Sequence, residues 1–505
     1  MILLSPRNNS LEKRTRSSES FVVSSVPVPH TLAQWNTRIE SLAGLEARGI
    51  ARVPPEERHE GSVMGYAQMT ILWFSANVTA NNLAVGLLGP LVFNLGFVDS
   101  AMMATFGSLL GSAATAYMSI WGAQSGNRTM IVTRYFMGYW PAKLICFLNM
   151  IIMVGYCTIS CIIAGQILSA VSGGSMSIAV GIIITALVSW LVAVFGMAVF
   201  QTYERWAWIP QVIVLLVLAG IACEHFDTSS QSTGGSAAVT AGRLSFFSIS
   251  LSAPVSWAGA GSDFYVYYPE TTSKRLAFFM TLTGLWTSIT LVYIIGIGLA
   301  SGIAVTPSWS TAYDISSGAL ILEGYSAVGG FGKFCGVVVA LGVIANNVPS
   351  TYAAALGCQV MGRYGKMVPR YLWVCAIVLV YFVCAIAGRD HLFVIFQNFL
   401  ALMGYWVVIF VSIVLEEHLI FRRNRGFDWA AWENKEYLPI GAAALTAFLV
   451  GWAGAIIGMS QVWYIGPVAK LVGGIGADVG IWLGMGFALL TFPPLRYLEL
   501  RTFGK

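Results

Sequence analysis

Charge is scarce in this chain: of 505 residues only 10% are Asp, Glu, Lys or Arg, against about 25% in an ordinary soluble domain. With 57% apolar residues beside them, so few charges cannot solvate a surface, and a water-soluble fold is excluded. Paired cysteines are missing as well. The eight cysteines (Cys146, Cys157, Cys161, Cys223, Cys335, Cys358, Cys375 and Cys384) lie in or at the ends of apolar stretches, and none forms Cys-x-x-Cys. A metal or redox pair is thereby excluded, and the cysteines read as small packing residues. The five histidines fall in the tail, the loops or the span ends, which argues against a histidine proton relay inside a membrane. The net charge is +5, yet no basic stripe with interleaved aromatics is present, so no nucleic-acid partner is expected. Gly-x-Ser-x-Gly, His-Glu-x-x-His and a phosphate-binding glycine loop are all lacking. The chain reads as no enzyme, with neither cofactor nor metal. The opening Met1–Leu4 run is too short for a signal-peptide core, which leaves insertion to the first true span.

What the chain does have is long apolar runs. After a polar tail of residues 1–62, read as mostly disordered, twelve segments follow at 66–92, 100–122, 141–171, 177–199, 206–224, 246–266, 276–304, 332–360, 371–388, 392–414, 438–458 and 474–493. Most reach the eighteen or more residues that a helix needs to cross about 30 Å of hydrocarbon. With the tail in the cytoplasm, 24 of the 28 Lys and Arg residues fall on the inner side, leaving only Arg243, Lys333, Arg389 and Lys470 outside. This asymmetry satisfies the positive-inside rule. It sets a cytoplasmic loop at 415–437, a cytoplasmic C-terminus at 494–505, and a multi-pass protein expected in the plasma membrane.

Two segments are internally broken. The first carries Ser75-Ala76-Asn77 and Asn81-Asn82; the sixth carries Ala253-Pro254 and then Gly259-Ala260-Gly261-Ser262. They stand five spans apart, so each begins one half of a five-plus-five inverted repeat, 66–224 and 246–414, within a ten-span core of 63–414. Segments eleven and twelve are then peripheral. Interrupted helices at matching positions of two halves point to a transporter site at the midplane, because unwound backbone survives there only where it lines a cavity or is buried in protein. Gly107-x-x-x-Gly111, Gly298-x-x-x-Gly302 and Gly480-x-x-x-Gly484 read as close helix packing.

Candidate substrate contacts follow from polar residues that hydrocarbon would not tolerate unpaired. Segment eight holds Asn346, Asn347, Pro349 and Ser350, with Asn346 and Ser350 one turn apart. Segment three offers Tyr156 and Ser160, again one turn apart, and segment one offers Ser75 and Asn77. Trp257 and Gly259 sit at the break of segment six, away from the interfacial belt where Trp concentrates. A flat aromatic wall suits a flat heterocycle. Asp263, the one carboxylate clearly within a segment, is the candidate for proton coupling, although its distance of six residues from Pro269 also suits a helix-end acid. Gln397 and Asn398 are gate candidates near the outer end of segment ten. Glu416-Glu417-His418 closes that segment as an expected solvated cluster.

At these residues the chain resembles the nucleobase-cation symporter-1 family, specifically the fungal purine and cytosine permeases. The resemblance begins in the tail with Glu46-Ala47-Arg48-Gly49-Ile50 and Val53-Pro54-Pro55-Glu56-Glu57-Arg58. It continues through Trp73-Phe74-Ser75-Ala76-Asn77, Ser262-Asp263-Phe264-Tyr265-Val266-Tyr267-Tyr268-Pro269 and Ala345-Asn346-Asn347-Val348-Pro349. It implies an all-α, LeuT-like fold, alternating access, proton symport with sodium as the other ion to test, and a small heterocyclic substrate within the lipid bilayer. By the same resemblance Trp257 stacks on the substrate, Asn346 supports it from segment eight, and Ser75 shapes the segment-one side. The chain departs from the group in three places. Tyr156 and Ser160 stand where Trp and Asn are usual, and Ser350 stands where Asn often follows the proline. These departures make another heterocycle, such as a vitamin B6 compound or a specialised metabolite, the alternative substrate. A substrate receptor that does not transport is the third reading.

Overall fold

The computed structural model describes residues 50–58, 61–195, 197–423, 426–472 and 476–505. Most of the expected tail, residues 1–49, lies outside the described residues. Its last part is held in place: Val53 N–H donates to the Gly126 carbonyl (2.9 Å), and Arg52 Nε donates to the Ser125 carbonyl (2.8 Å).

Polar residues interrupt the first segment where side chains can replace the backbone hydrogen bonds that a break forfeits. The segment is two helices, α1 (Val63–Ser75) and α2 (Ala80–Phe93), bent by 51°. Asn77 Nδ2 donates to the Trp73 carbonyl (2.9 Å), and Asn82 Nδ2 donates to the Asn77 carbonyl (2.7 Å). Both carbonyls would otherwise be unpaired at membrane depth.

The first half continues with α3 (Phe97–Ser125), the short α4 (Thr129–Met137), α5 (Pro141–Val171), α6 (Ile178–Phe195) and α7 (Met197–Ala222). The second half opens with α8 (Ser236–Val255), which passes through two tight turns at Ser256–Gly259 and Gly261–Tyr265, and then α9 (Lys274–Gly302). Segment six therefore starts ten residues earlier than its hydropathy suggests, because its first turns are rich in Ser, Thr and Gly. Two short helices, α10 (Pro307–Ile315) and α11 (Ser317–Glu323), follow before α12 (Gly329–Val360), α13 (Arg363–Met367), α14 (Arg370–Gly388) and α15 (Leu392–Glu416). The last part holds α16 (Ala442–Gly458), a two-stranded hairpin of β1 (Ser460–Gln461) and β2 (Tyr464–Ile465), α17 (Pro467–Leu471) and α18 (Gly480–Phe503).

The packing pattern carries the inverted repeat. Spans two and six (α3 on α8) form one of the broadest contacts, as do seven and one (α9 on α2); spans three and nine meet (α5 on α14), as do eight and four (α12 on α6). Each pair maps onto its partner when every span is exchanged for the one five places away. Spans two with seven and three with eight map onto themselves. Small residues permit the approach: a Cβ on Gly111 of α3 would lie 2.2 Å from the Leu251 carbonyl of α8. Thr115 Oγ1 pairs the Pro254 carbonyl from the same side (2.7 Å). Spans eleven and twelve pack on each other and on α15, outside the ten-span core.

Among the described residues six helices are long and apolar enough to cross a bilayer by themselves, and α1 with α2 makes a seventh. Helices α3 and α8 fall short of that measure because Ser, Thr and Gly recur along both, many of them buried inside the protein rather than shown to lipid. At the end of span ten, Glu417 is fully buried rather than solvated. Arg496 Nε and Nη2 reach its two oxygens (2.8 and 2.9 Å), Arg422 Nε joins at 2.9 Å, and Glu499 holds Arg496 from the other side (2.6 Å). Arg496 and Glu499 of that network lie in the stretch expected as the cytoplasmic C-terminus, through which α18 continues to Phe503.

Candidate substrate site

The broken part of span one, the first turn after α8, α5 and α12 converge on one cavity. It is lined by Asn77, Thr79, Asn81, Asn82, Met153, Tyr156, Ala253, Ser256, Trp257, Asn346 and Ser350. Of the sequence candidates, Asn77, Tyr156, Trp257, Asn346 and Ser350 are brought together here.

Trp257 is held by its edges. Its Nε1–H donates to Asn77 Oδ1 (3.0 Å), and its ring meets Trp73 at 85° and Phe264 at 60°, with centroids 5.9 and 6.2 Å away. Neither ring lies parallel on its face. Tyr156 shares a hydrogen bond with Ser256 Oγ (3.0 Å), and Ser256 donates to the Ala253 carbonyl (2.6 Å). Phe399 of α15 stands edge-on to Tyr156 with centroids 5.4 Å apart. Gly155 makes room for it, since a Cβ there would fall 2.0 Å from the Phe399 ring. Ser350 Oγ donates to its own helix at the Asn346 carbonyl (3.3 Å), so α12 offers the cavity the Asn346 amide and the acceptor side of the Ser350 hydroxyl.

In this conformation the cavity is tight. About 30 Å³ is open to water, whereas an engineered cavity of about 150 Å³ is what accepts benzene. A ring can enter only if lining side chains move, and Trp257 with Asn77 and Tyr156 with Ser256 are two of the cross-span bonds that those side chains make.

Residues 52–483 match the permease family for cytosine/purines, uracil, thiamine and allantoin. The chain belongs to this family. It is similar to the vitamin B6 transporter TPN1 of Saccharomyces cerevisiae, at 32% identity over 94% of this chain and 90% of that one. It is equally similar to the purine-cytosine permease fcyB of Emericella nidulans, at 34% identity over 93% and 91%. Among solved structures it shares its fold with Mhp1, a nucleobase-cation-symport-1 family transporter, closed with bromovinylhydantoin bound. The TM-score is 0.66 at 15% identity, covering 91% of this chain and 96% of that one. The chain is a multi-pass membrane transporter of the fungal purine-cytosine permease group, with the LeuT-like inverted repeat, and not an enzyme.

The permease does not bring the other sequence candidates to this cavity. Asn347 is one residue from Asn346, about 100° around the helix. Its Nδ2 faces Ser189 Oγ (3.2 Å) and Cys161 Sγ (3.6 Å) as a tie between spans eight, four and three. Ser160 lies behind the lining, where Asn81 Nδ2 donates to it (2.8 Å). Gly259 is a close-approach position: a Cβ there would sit 2.0 Å from Asn149 Oδ1. Ser75 lines a neighbouring cavity with Trp208 and Gln211, which shares Thr79 and Asn346 with the first. Neither Gln397 nor Asn398 lines the cavity, and Asn398 Nδ2 bonds back to the Val394 carbonyl (2.8 Å).

Asp263 is likewise away from the cavity. Its Oδ1 accepts from Thr129 N (2.6 Å) and Thr129 Oγ1 (2.8 Å), and Arg128 stands 3.9 Å from its other oxygen. Thr129 is the first residue of α4, so the carboxylate caps a helix start, where negative charge is favoured. Thr129 Oγ1 also accepts from Ser262 N (2.9 Å). Together these bonds fasten the lower part of the span-six break to α4. Sequence reasoning missed Thr79, Ser256, Met153 and Phe399. Asn81 was visible as part of the break but not as a lining residue, and Phe399 gave no signal because an apolar residue in an apolar span is unmarked.

Proposed function

We propose that this permease takes up a small, flat, nucleobase-like heterocycle by alternating access, driven by protons, across the plasma membrane with both termini in the cytoplasm. The observation that carries the reading is Trp257: an aromatic ring fixed at its edges, with no parallel ring on it, among amide and hydroxyl groups from three other spans. Stacking of a base on such a ring is worth about 1–3 kcal/mol, and the surrounding polar groups set its orientation. Proton coupling rests on the family resemblance. Asp263, fastened to α4, supports an anchoring role better than a proton-carrying one.

A second reading is favoured by the lining itself. With Tyr156, Ser256, Ser350 and Thr79 the cavity is rich in hydroxyls, which suits a hydroxylated pyridine, and the likeness to a vitamin B6 transporter is as strong as that to the purine-cytosine permeases. Radiolabelled uptake of cytosine, adenine, hypoxanthine and pyridoxine in a host lacking its own permeases separates the two readings. Uptake of none, with the protein at the cell surface, would reject both and leave the non-transporting receptor, which binds without flux. Repeating uptake at varied pH, with a protonophore and with sodium replaced, tests the coupling ion. A surface-localised fluorescent fusion with protease-protected ends tests the membrane and the topology.

A further inference from the structure

The start of α2 brings to the cavity two residues with polar atoms that no described residue pairs. Asn81 and Thr79 both line it, and each is only 4% exposed. The amide of Asn81 is half committed: Nδ2 donates to Ser160 Oγ at 2.8 Å, while Oδ1 is buried with no hydrogen-bond partner among the described residues. Thr79 occupies the N-cap position of α2, where a threonine hydroxyl ordinarily accepts a bond from the helix start. Here it makes no cap bond, and its Oγ1 is also buried without a partner. Their neighbours differ. Asn77 is engaged at both ends, with Trp257 and Trp73, and Asn82 Nδ2 is spent on the Asn77 carbonyl.

Buried polar groups are normally paired, and two left open in residues that line the same cavity call for a ligand that completes them. The bond to Ser160 also fixes which edge of the Asn81 amide remains open. We infer that Asn81 Oδ1 accepts a hydrogen bond from a ring or exocyclic N–H or O–H of the substrate, with Thr79 Oγ1 as a second partner. Asn81 is then a specificity-determining residue. This rests on the cavity being the substrate site, as proposed above. The ligand class it selects is a heterocycle with an unsubstituted donor on the edge facing span one. A site built to bond such a donor rejects the analogue that lacks it.

The test compares matched pairs as inhibitors of uptake of whichever parent compound the wild type carries: cytosine and hypoxanthine with their N-methyl isomers, and pyridoxine with its 3-O-methyl ether. For the wild type, at least one methyl position should raise the inhibition constant about tenfold, the usual scale for an unpaired buried polar group. Asn81→Ala should weaken the parent compound and remove most of that methyl penalty, whereas Asn81→Asp, which keeps an acceptor oxygen, should retain it. The ratio between parent and methylated ligand is the readout, because general damage to the protein moves both constants together. If Asn81→Ala does not reach the surface, Asn81→Ser takes its place with the same expectation. A methyl penalty unchanged in these variants overturns the role of Asn81 while leaving the substrate site standing. A wild type at the surface that carries none of the parent compounds removes the site reading, and the inference with it.

Discussion

The two broken spans carry the same kind of sequence signature and do different work. The span-one break sends Asn77, Thr79, Asn81 and Asn82 to the cavity, and uses amide side chains to replace lost backbone bonds. The span-six break sends Ala253, Ser256 and Trp257 there, while its remainder, from Gly259 to Asp263, is sealed against α3, α4 and Asn149 of α5. Under the proposed function, the first break reads the ligand by its polar edge, and the second presents a single aromatic wall on a fastened base. The difference teaches that unwound backbone at membrane depth has two admissible surroundings, a cavity or tight protein, and that one break can use both along its length.

The sharpest way to break this comparison is at the wall. Trp257→Ala should abolish measurable uptake, while Trp257→Phe keeps a fraction of it, since a phenyl ring still stacks; equal uptake by both would remove the wall from the account. Next comes the link that joins the two breaks. Asn77→Ala loses both the Trp257 tether and the pairing of the Trp73 carbonyl, and should raise KM about tenfold or more, measured at matched surface abundance. At the fastened base the effect should move from transport to stability. Asp263→Ala should cost about 1–3 kcal/mol in thermal or detergent unfolding, with KM of the surviving protein near wild type. Asp263→Asn should leave the pH profile of uptake in place; a shifted profile would instead make Asp263 a coupling residue. The smallest effect is expected outside both breaks, where Gln397→Ala should change KM by less than about twofold, because Gln397 does not line the cavity.

The breaks were legible in the sequence because polar and glycine-rich runs stand out against hydrocarbon-length apolar segments. Trp257 was legible because it stood at such a run. Its setting was not: the Asn77 tether comes from a residue 180 positions away. The pair Asn346-Asn347 shows the limit from the other direction. Both are amides in one apolar helix, and only the rotation of α12 decides that one meets the cavity and the other ties three spans together. Glu417 looked like a solvated charge because its partner Arg496 lies 79 residues on. Ser160 read as a departure from the amide-bearing pattern of the group; in space it accepts from the amide of Asn81 behind the cavity lining.

The sequence by itself determined the solvent, the helical fold class, the places of the two breaks and the family. Each of these follows from local composition or from residues close together in the chain, where segment length, charge bias and polarity act without reference to distant partners. Only the tertiary structure decided which polar groups face the cavity, which hold helices together and which remain open for a ligand. Pairing is the reason: a buried amide, hydroxyl or carboxylate takes its role from the group it meets, and in this permease those meetings join residues 79 to 180 positions apart.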